Sequence, residues 1–301
     1  MTRSVFITIV TLSLLLISGC GPDENTMPQS PSEIEPVSWP AIMKEGHGVL
    51  HALYVPADGF AYAGETGVPT GFTVALLVDF TRFLAEEYSI MLELNFIEVE
   101  NWTDYYKHIV EGEDGMIGMG NVTITEQRRR ELAFSPPYMT NIASLISHAD
   151  APEMTSFDEM NRVFEGRDAL AFEGTLHEER LQLLVEQYHP EAEIHLANSN
   201  DEIIDRVSES DSYFAYIDIY NYWRAVDRGA ALRRHEAGDE AAEQFGYIMP
   251  LNTSWEPIIN EYFLQDGGLL LTDHYRSLMA EHLGERLADL LIEAHREQVT
   301  D

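Results

Sequence analysis

An α/β fold of mainly parallel sheets covered by helices is what this sequence predicts, on three observations. Strand-like and helix-like segments alternate along the body, the pattern of successive β-α units. The apolar period changes between them: Phe72, Leu76, Leu77, Phe80, Phe83 and Leu84 recur close to every 3.6 residues, whereas Leu92, Leu94 and Phe96 alternate with Glu93 and Asn95. Hydrophobic content of 45% with four tryptophans supports a packed core over a disordered chain. No internal repeat is visible.

In chain order, the first signal lies outside the fold. Arg3 supplies a positive start, and 5–17 is apolar apart from Thr8, Thr11 and Ser13. That is the length of a secretory leader, since a spanning helix needs about 20 apolar residues. Ile17-Ser18-Gly19 then leads into Cys20, the single cysteine, which has no disulfide partner in the chain. The stretch resembles the lipobox of bacterial lipoproteins, which implies removal of residues 1–19 and lipid on Cys20. Gly21 follows where an aspartate would imply inner-membrane retention, so the outer membrane of a Gram-negative cell is favoured. Residues 20–43 are expected to form a tether, with prolines at 22, 28, 31, 36 and 40 and no apolar periodicity.

The body then runs as a strand at 49–55, a turn with Gly64, Gly67, Pro69 and Gly71, and the helix 72–88. A strand at 92–96, a short helix at 104–110 and a short apolar strand at 116–119 follow. Further strand and helix signals fall at 142–147, 169–172, 175–188, 193–197, 200–208, 213–217 and 218–227. A strand at 245–249 precedes two or three closing helices. Ligands of open α/β sheets sit beyond the carboxyl ends of the strands, which directs attention to the loops there.

Charge narrows the partners. Asp and Glu number 52 against 18 Lys and Arg, a net charge of −34, and Lys44 and Lys107 are the only lysines. Such a field opposes nucleic acid and anionic headgroups. The composition resembles that of proteins from saline habitats, where screening removes the self-repulsion.

The most informative segment is 120–138, which opens Gly120-Asn121-Val122-Thr123-Ile124-Thr125, carries Arg128-Arg129-Arg130 on a short helix, and ends Phe134-Ser135-Pro136-Pro137-Tyr138. The Thr123 hydroxyl, backbone N–H groups at the turn and the Arg128 guanidinium could converge on one carboxylate, which the planar fork of arginine pairs bidentately. Alone, three consecutive arginines equally fit a solvated face. The segment resembles the signature of family 3 solute-binding proteins, the receptors for polar amino acids. Three others stand in that family's order: Gly71-Phe72-Thr73-Val74-Ala75-Leu76, Phe172-Glu173-Gly174-Thr175-Leu176-His177 and Ala215-Tyr216-Ile217-Asp218. Together they cover roughly 46–283. The 123–138 run and the Gly174-Thr175-Leu176-His177 turn also resemble the receptor-like N-terminal domain of membrane-bound lytic transglycosylase F. The 301 residues leave no room for a lytic domain, so lytic activity is not expected.

The resemblance implies a two-lobed periplasmic-binding-protein type II fold, with lobe 1 from 44–144 plus 246–297 and lobe 2 from 145–245. It implies that Arg128 and Thr123, with Asn121 where serine is common, clamp a ligand carboxylate. Thr175, at a helix N-terminus that suits an anion and three residues before Glu178 as in a capping box, would meet the other oxygen. Asp218 would receive an ammonium, although by itself it could equally cap the next helix. Phe60, Tyr62, Trp102 and Tyr138 are expected as apolar walls, with His177 and Glu173 near the mouth. The expected ligand is an amino acid or small peptide-like zwitterion, held by a monomer for an ABC permease or a sensor. No cofactor is implied. No metal site is expected either, because His47 and His51 lie in a strand-like stretch without a Cys or Asp partner. Two other functions fit the fold: an enzyme resembling arogenate or prephenate dehydratases with Glu173 as its acid, and a cell-wall-associated lipoprotein.

Overall fold

The computed structural model describes residues 37–300; the leader, Cys20 and most of the tether lie outside them. The body begins earlier than the sequence suggests. Helix α1 (Trp39–Glu45) carries Pro40 in its first turn, where a missing N–H costs nothing. Trp39 packs 5.4 Å from Trp255, so residues expected in the tether up to 43 are docked on the core.

Strand β1 (His47–Tyr54), the hairpin of β2 (Tyr62–Ala63) and β3 (Pro69–Thr70), and helix α2 (Phe72–Tyr88) follow. Gly71 has φ 125°, and a Cβ there would collide with the Phe60 carbonyl, so this glycine of the Gly71-Phe72 motif serves the turn into α2. Next come β4 (Met91–Glu98), α3 (Trp102–Val110), β5 (Met116–Thr123) and β6 (Leu132–Phe134). Asn101 caps α3 by accepting the Asp104 N–H at 2.9 Å. The alternation continues through β7 (Met139–His148), α4 (Met160–Val163), β8 (Asp168–Phe172), α5 (Leu176–Tyr188), β9 (Ile194–Ala197), α6 (Asn200–Glu209), β10 (Tyr213–Asp218) and α7 (Ile219–Asp227). Strand β11 (Leu232–Pro250) and helices α8 (Glu256–Phe263), α9 (Asp273–Leu283) and α10 (Glu285–Thr300) close the chain.

One sheet runs β4-β1-β5-β11-β7-β10-β8-β9, with β6 also paired to β11. Its two ends are parallel, β1 with β4 and β5, and β8 with β9 and β10. In its middle β7 and β11 run antiparallel from Leu232↔His148 to Phe245↔Met139, and β11 continues onto β5 and β6. These two strands are the double connection between lobes. Positions 144/145 and 245/246 lie within β7 and β11. Register shifts between His235 and Glu240 and between Ala241 and Glu243 interrupt the ribbon where it passes from lobe to lobe.

Apolar clusters cover both faces of each half. Lobe 1 packs Leu50, Ala52 and Ile117 against α2, α8 and α9 on one face, and Leu53, Met116 and Val122 against α3 on the other. Lobe 2 packs Ala143 and Phe214 against α5, and Leu170 and Ala215 against α6 and α7. Burial on both faces explains why parallel strands such as β8 read as continuous apolar runs.

Candidate functional site

Between the lobes lies a cavity of about 350 Å³. Its walls follow β1 (Val55–Asp58), β4 (Glu100 and Trp102), β5, β8, β9 (Asn198–Asp201) and β10. All of these are carboxyl ends of strands, where the sheet rule places ligands. Of the expected residues, Arg128, Thr123, Asn121 and Trp102 line it from lobe 1, and Thr175, His177 and Asp218 from lobe 2.

On the lobe 1 wall the expected short helix is a single 3₁₀ turn, Arg128–Arg130. Thr125 Oγ1 accepts the Arg128 N–H at 3.1 Å, and Arg128 Nη1 donates to the Thr123 carbonyl at 3.1 Å. The guanidinium stands 5.6 Å from the centroid of the Tyr106 ring. Among the described residues it forms no ion pair with a carboxylate. Burial pushes its pKa down, although it remains a cation throughout the working range. Arg129 and Arg130 are exposed.

Asn121 takes φ 54°, a left-handed conformation that asparagine tolerates. Both ends of its amide are engaged: Oδ1 accepts from the Tyr138 hydroxyl at 2.7 Å and Nδ2 donates to the Tyr220 hydroxyl at 3.2 Å. Asn121 thus bridges the lobes. Tyr138 and Phe60, expected as walls, lie behind the cavity, fully buried in the lobe 1 core. Phe60 packs 4.4 Å from the Tyr220 ring and Tyr138 5.0 Å from that of Tyr247, so both rings fill volume. Tyr62 sits in the β2–β3 hairpin. Trp102 does line the cavity, and its buried Nε1 has no hydrogen-bond partner among the described residues.

On the lobe 2 wall Thr175 is the N-cap of α5, but its hydroxyl donates to the Phe172 carbonyl at 2.8 Å. Glu178 accepts the Gly174 N–H at 2.7 Å, so the expected Thr175–Glu178 capping box is not formed. Gly174, at φ 74°, approaches lobe 1 so closely that a Cβ would lie 2.9 Å from Thr103 Oγ1.

Deeper in this wall, Asp218 Oδ1 meets His177 Nε2 at 3.0 Å and accepts from Asn141 Nδ2 at 2.6 Å. Asn141 Nδ2 also lies 3.1 Å from Glu243 Oε2. Arg180 pairs with Glu243 at 2.5 Å and Glu240 at 2.7 Å, and its Nη1 is 3.2 Å from His177 Nδ1. Burial alone would lower the His177 pKa; Asp218 and Glu243 outweigh that and raise it. Ligating atoms of His177, Asp218 and Glu243 lie within 4.8 Å of one another. Asn141 Nδ2 and Arg180 supply donors to this group, while Asn141 Oδ1 has no hydrogen-bond partner among the described residues.

Several wall residues escape the sequence reading. Asn198–Asp201 carried a usable signal in the Ser199…Glu202 spacing of a helix start after β9: Ser199 Oγ accepts the Glu202 N–H at 3.1 Å as N-cap, and Glu202 accepts the Asn198 N–H at 2.9 Å. Asp58, Arg224 and Tyr220 carried none. The Arg224 guanidinium pairs with Asp58 across the lobes, as does Arg228 at 2.5 Å, between positions about 170 apart in the chain. Glu173 is exposed and off the wall.

Two α/β lobes joined by two strands, with a polar cleft at the strand ends, define the class of type II periplasmic binding folds. The chain belongs to the bacterial extracellular solute-binding proteins, family 3, which match it over residues 52–261. Solved structures agree in fold. The P235GK mutant of ArgBP from T. maritima aligns with a TM-score of 0.64 at 18% identity, over 81% of this chain and 98% of that one. A structure from glutathione import via GshT and the cystine ABC importer TcyBC of Streptococcus mutans gives 0.64 at 16%, over 78% and 95%. The ancestral amino-acid-binding protein AncCDT-1, a precursor of cyclohexadienyl dehydratase, gives 0.59 at 22%, over 80% and 97%. No curated protein is a significant match.

Proposed function

We propose that this protein is a receptor that captures an amino acid or a small peptide-like zwitterion between its lobes, outside the cytoplasm, for an ABC permease or a sensor. The observation that carries this reading is Arg128: a half-buried guanidinium on the cavity wall with no carboxylate partner among the described residues. A ligand carboxylate would supply that partner, with Thr123 and the N-terminus of α5 as further donors. Asp218 on the facing lobe suits the ligand ammonium. Only closure gives a zwitterion both charged partners, so binding would favour the closed form.

The leader and the lone Cys20 support a lipid anchor, and no described helix is long and apolar enough to cross a membrane. A tether of roughly fifteen residues would leave the cleft free to open near that membrane. An enzyme reading has a structural neighbour in AncCDT-1. The acid it would use, Glu173, is exposed and outside the cavity, which favours capture over turnover.

A thermal-shift screen over the twenty protein amino acids, glutathione and short muropeptides tests the reading. One zwitterion should raise the midpoint, since a ligand at 100 times Kd adds about 2.7 kcal/mol. Arg128→Ala should abolish the shift; a variant that responds like wild type would mean the carboxylate is held elsewhere.

A further inference from the structure

Charge in the lobe 2 wall does not balance by itself. Asp218 and Glu243 are 8% and 5% exposed, and the one guanidinium between them and α5 is Arg180. Two carboxylates against one guanidinium leave a buried negative charge, and buried charge is costly unless compensated. Across the cavity Arg128 is a positive charge that forms no ion pair with a carboxylate among the described residues. A zwitterion would cancel both. In an empty cleft something else must cancel the first.

His177 is the group positioned to do so. It is 7% exposed, on the first turn of α5, with Nε2 3.0 Å from Asp218 Oδ1. Three of the elements packed around it, β10, β11 and its own helix α5, present charged or titratable groups. Strand β10 contributes Asp218 and Tyr216, whose ring lies 5.6 Å away; β11 contributes Glu243, with Glu240 behind Arg180. Its own helix contributes Arg180, Glu178 and Glu179, and β7 contributes the neutral Asn141. The carboxylates outweigh the one guanidinium and favour the imidazolium. The neutral ring is also fully satisfied, because Nδ1 can accept from Arg180 Nη1 at 3.2 Å while Nε2–H still donates to Asp218. Losing the proton strands no donor or acceptor, whereas the imidazolium turns Nδ1–H towards Arg180 Nη1, so protonation requires that one nitrogen to swing aside while Arg180 keeps its pairs with Glu240 and Glu243.

We propose that His177 is a built-in counter-ion for Asp218, protonated when the cleft is empty, whose proton is released when the cationic group of a ligand arrives. This rests on the zwitterion reading above and adds that capture is an exchange of one cation for another. The site would thereby select ligands carrying an ammonium or guanidinium beside the carboxylate. Affinity should rise with pH, by up to about tenfold per unit for a single linked proton, until the His177 pKa of the empty protein is passed.

Ring-nitrogen NMR of the ligand-free protein comes first. His177 should titrate above the ordinary histidine value of about 6.5 and fall in Asp218→Asn; a value at or below the ordinary one overturns the proposal with no ligand required. Calorimetry follows at mildly acid pH, with the tightest-binding of the twenty amino acids, in buffers of different ionisation heat. Wild type should release up to one proton per ligand, and His177→Gln, which keeps a donor for Asp218 but cannot titrate, should release none. Heat without proton release overturns this proposal alone. No heat from any amino acid, glutathione or muropeptide overturns the zwitterion reading and this one with it.

Discussion

The two walls of the cleft hold charge in opposite ways. On lobe 1 a single guanidinium stands with a carbonyl and a tyrosine ring for company. On lobe 2 two carboxylates, an arginine, a histidine and an asparagine hold one another within one buried group, which leaves Asn141 Oδ1 without a hydrogen-bond partner among the described residues. A partly desolvated charge without a carboxylate partner is free to take one from a ligand. A buried network contributes specificity of structure, and removing one member strands the rest.

Substitutions with the same chemistry should therefore part company between the lobes. Arg180→Met leaves Glu243 and Asp218 facing each other in the interior, so urea unfolding should report a loss of about 3–5 kcal/mol. Arg128→Met removes a partly desolvated cation that forms no ion pair among the described residues, so stability should change by less than about 1 kcal/mol while ligand binding disappears. Equal losses from the two variants would erase the distinction between the walls.

Lobe 2 supplies a second contrast, between two buried histidines. His235 donates from Nε2 to Ser147 Oγ at 2.8 Å and accepts the Met154 N–H on Nδ1 at 3.1 Å, which fixes it neutral. Burial, with Arg233 and Arg167 nearby, pushes its pKa down to about 4. Its folded value lies below its unfolded one, so its contribution is full above about pH 6.5 and is lost as pH falls towards 4, by about 3 kcal/mol. For His177 the shift is upward, and its contribution is present in acid and lost as pH rises through the folded value. Denaturation midpoints taken from pH 7 to 4 should show an acid loss that shrinks in His235→Gln and steepens in His177→Gln. If both variants follow the wild-type curve, neither imidazole is coupled to folding.

The same contrast decides what was legible in the sequence. Arg128, Thr123 and Asn121 lie within eight consecutive residues, so a motif exposes them. The lobe 2 group joins α5, β7, β10 and β11, and the Asn141–Glu243 contact spans 102 residues. Its members meet only because the two crossing strands pass beside α5. Strand β11 shows the same limit. Only 245–249 reads as a strand, because 232–244 is rich in Arg, Glu and Ala with no apolar alternation; pairing along β7 holds it extended. Phe60 and Tyr138 failed for a different reason: an aromatic ring suits a core as well as a wall, and only packing decides.

The smallest effect expected concerns the seam where the two walls meet. Asp58 of lobe 1 receives Arg224 and Arg228 of lobe 2 at one edge of the cavity, and its side chain is 42% exposed. Solvent-exposed pairs contribute up to about 1 kcal/mol, and here that energy belongs to the closed arrangement only. Asp58→Asn should thus weaken ligand binding by up to about fivefold with no change in which ligand is preferred, because it touches the open–closed balance and neither charged anchor. Calorimetry with the two best ligands checks this directly. A changed order of preference would mean that Asp58 contacts the ligand itself, and that the division into two charged walls joined by a separate seam is drawn in the wrong place.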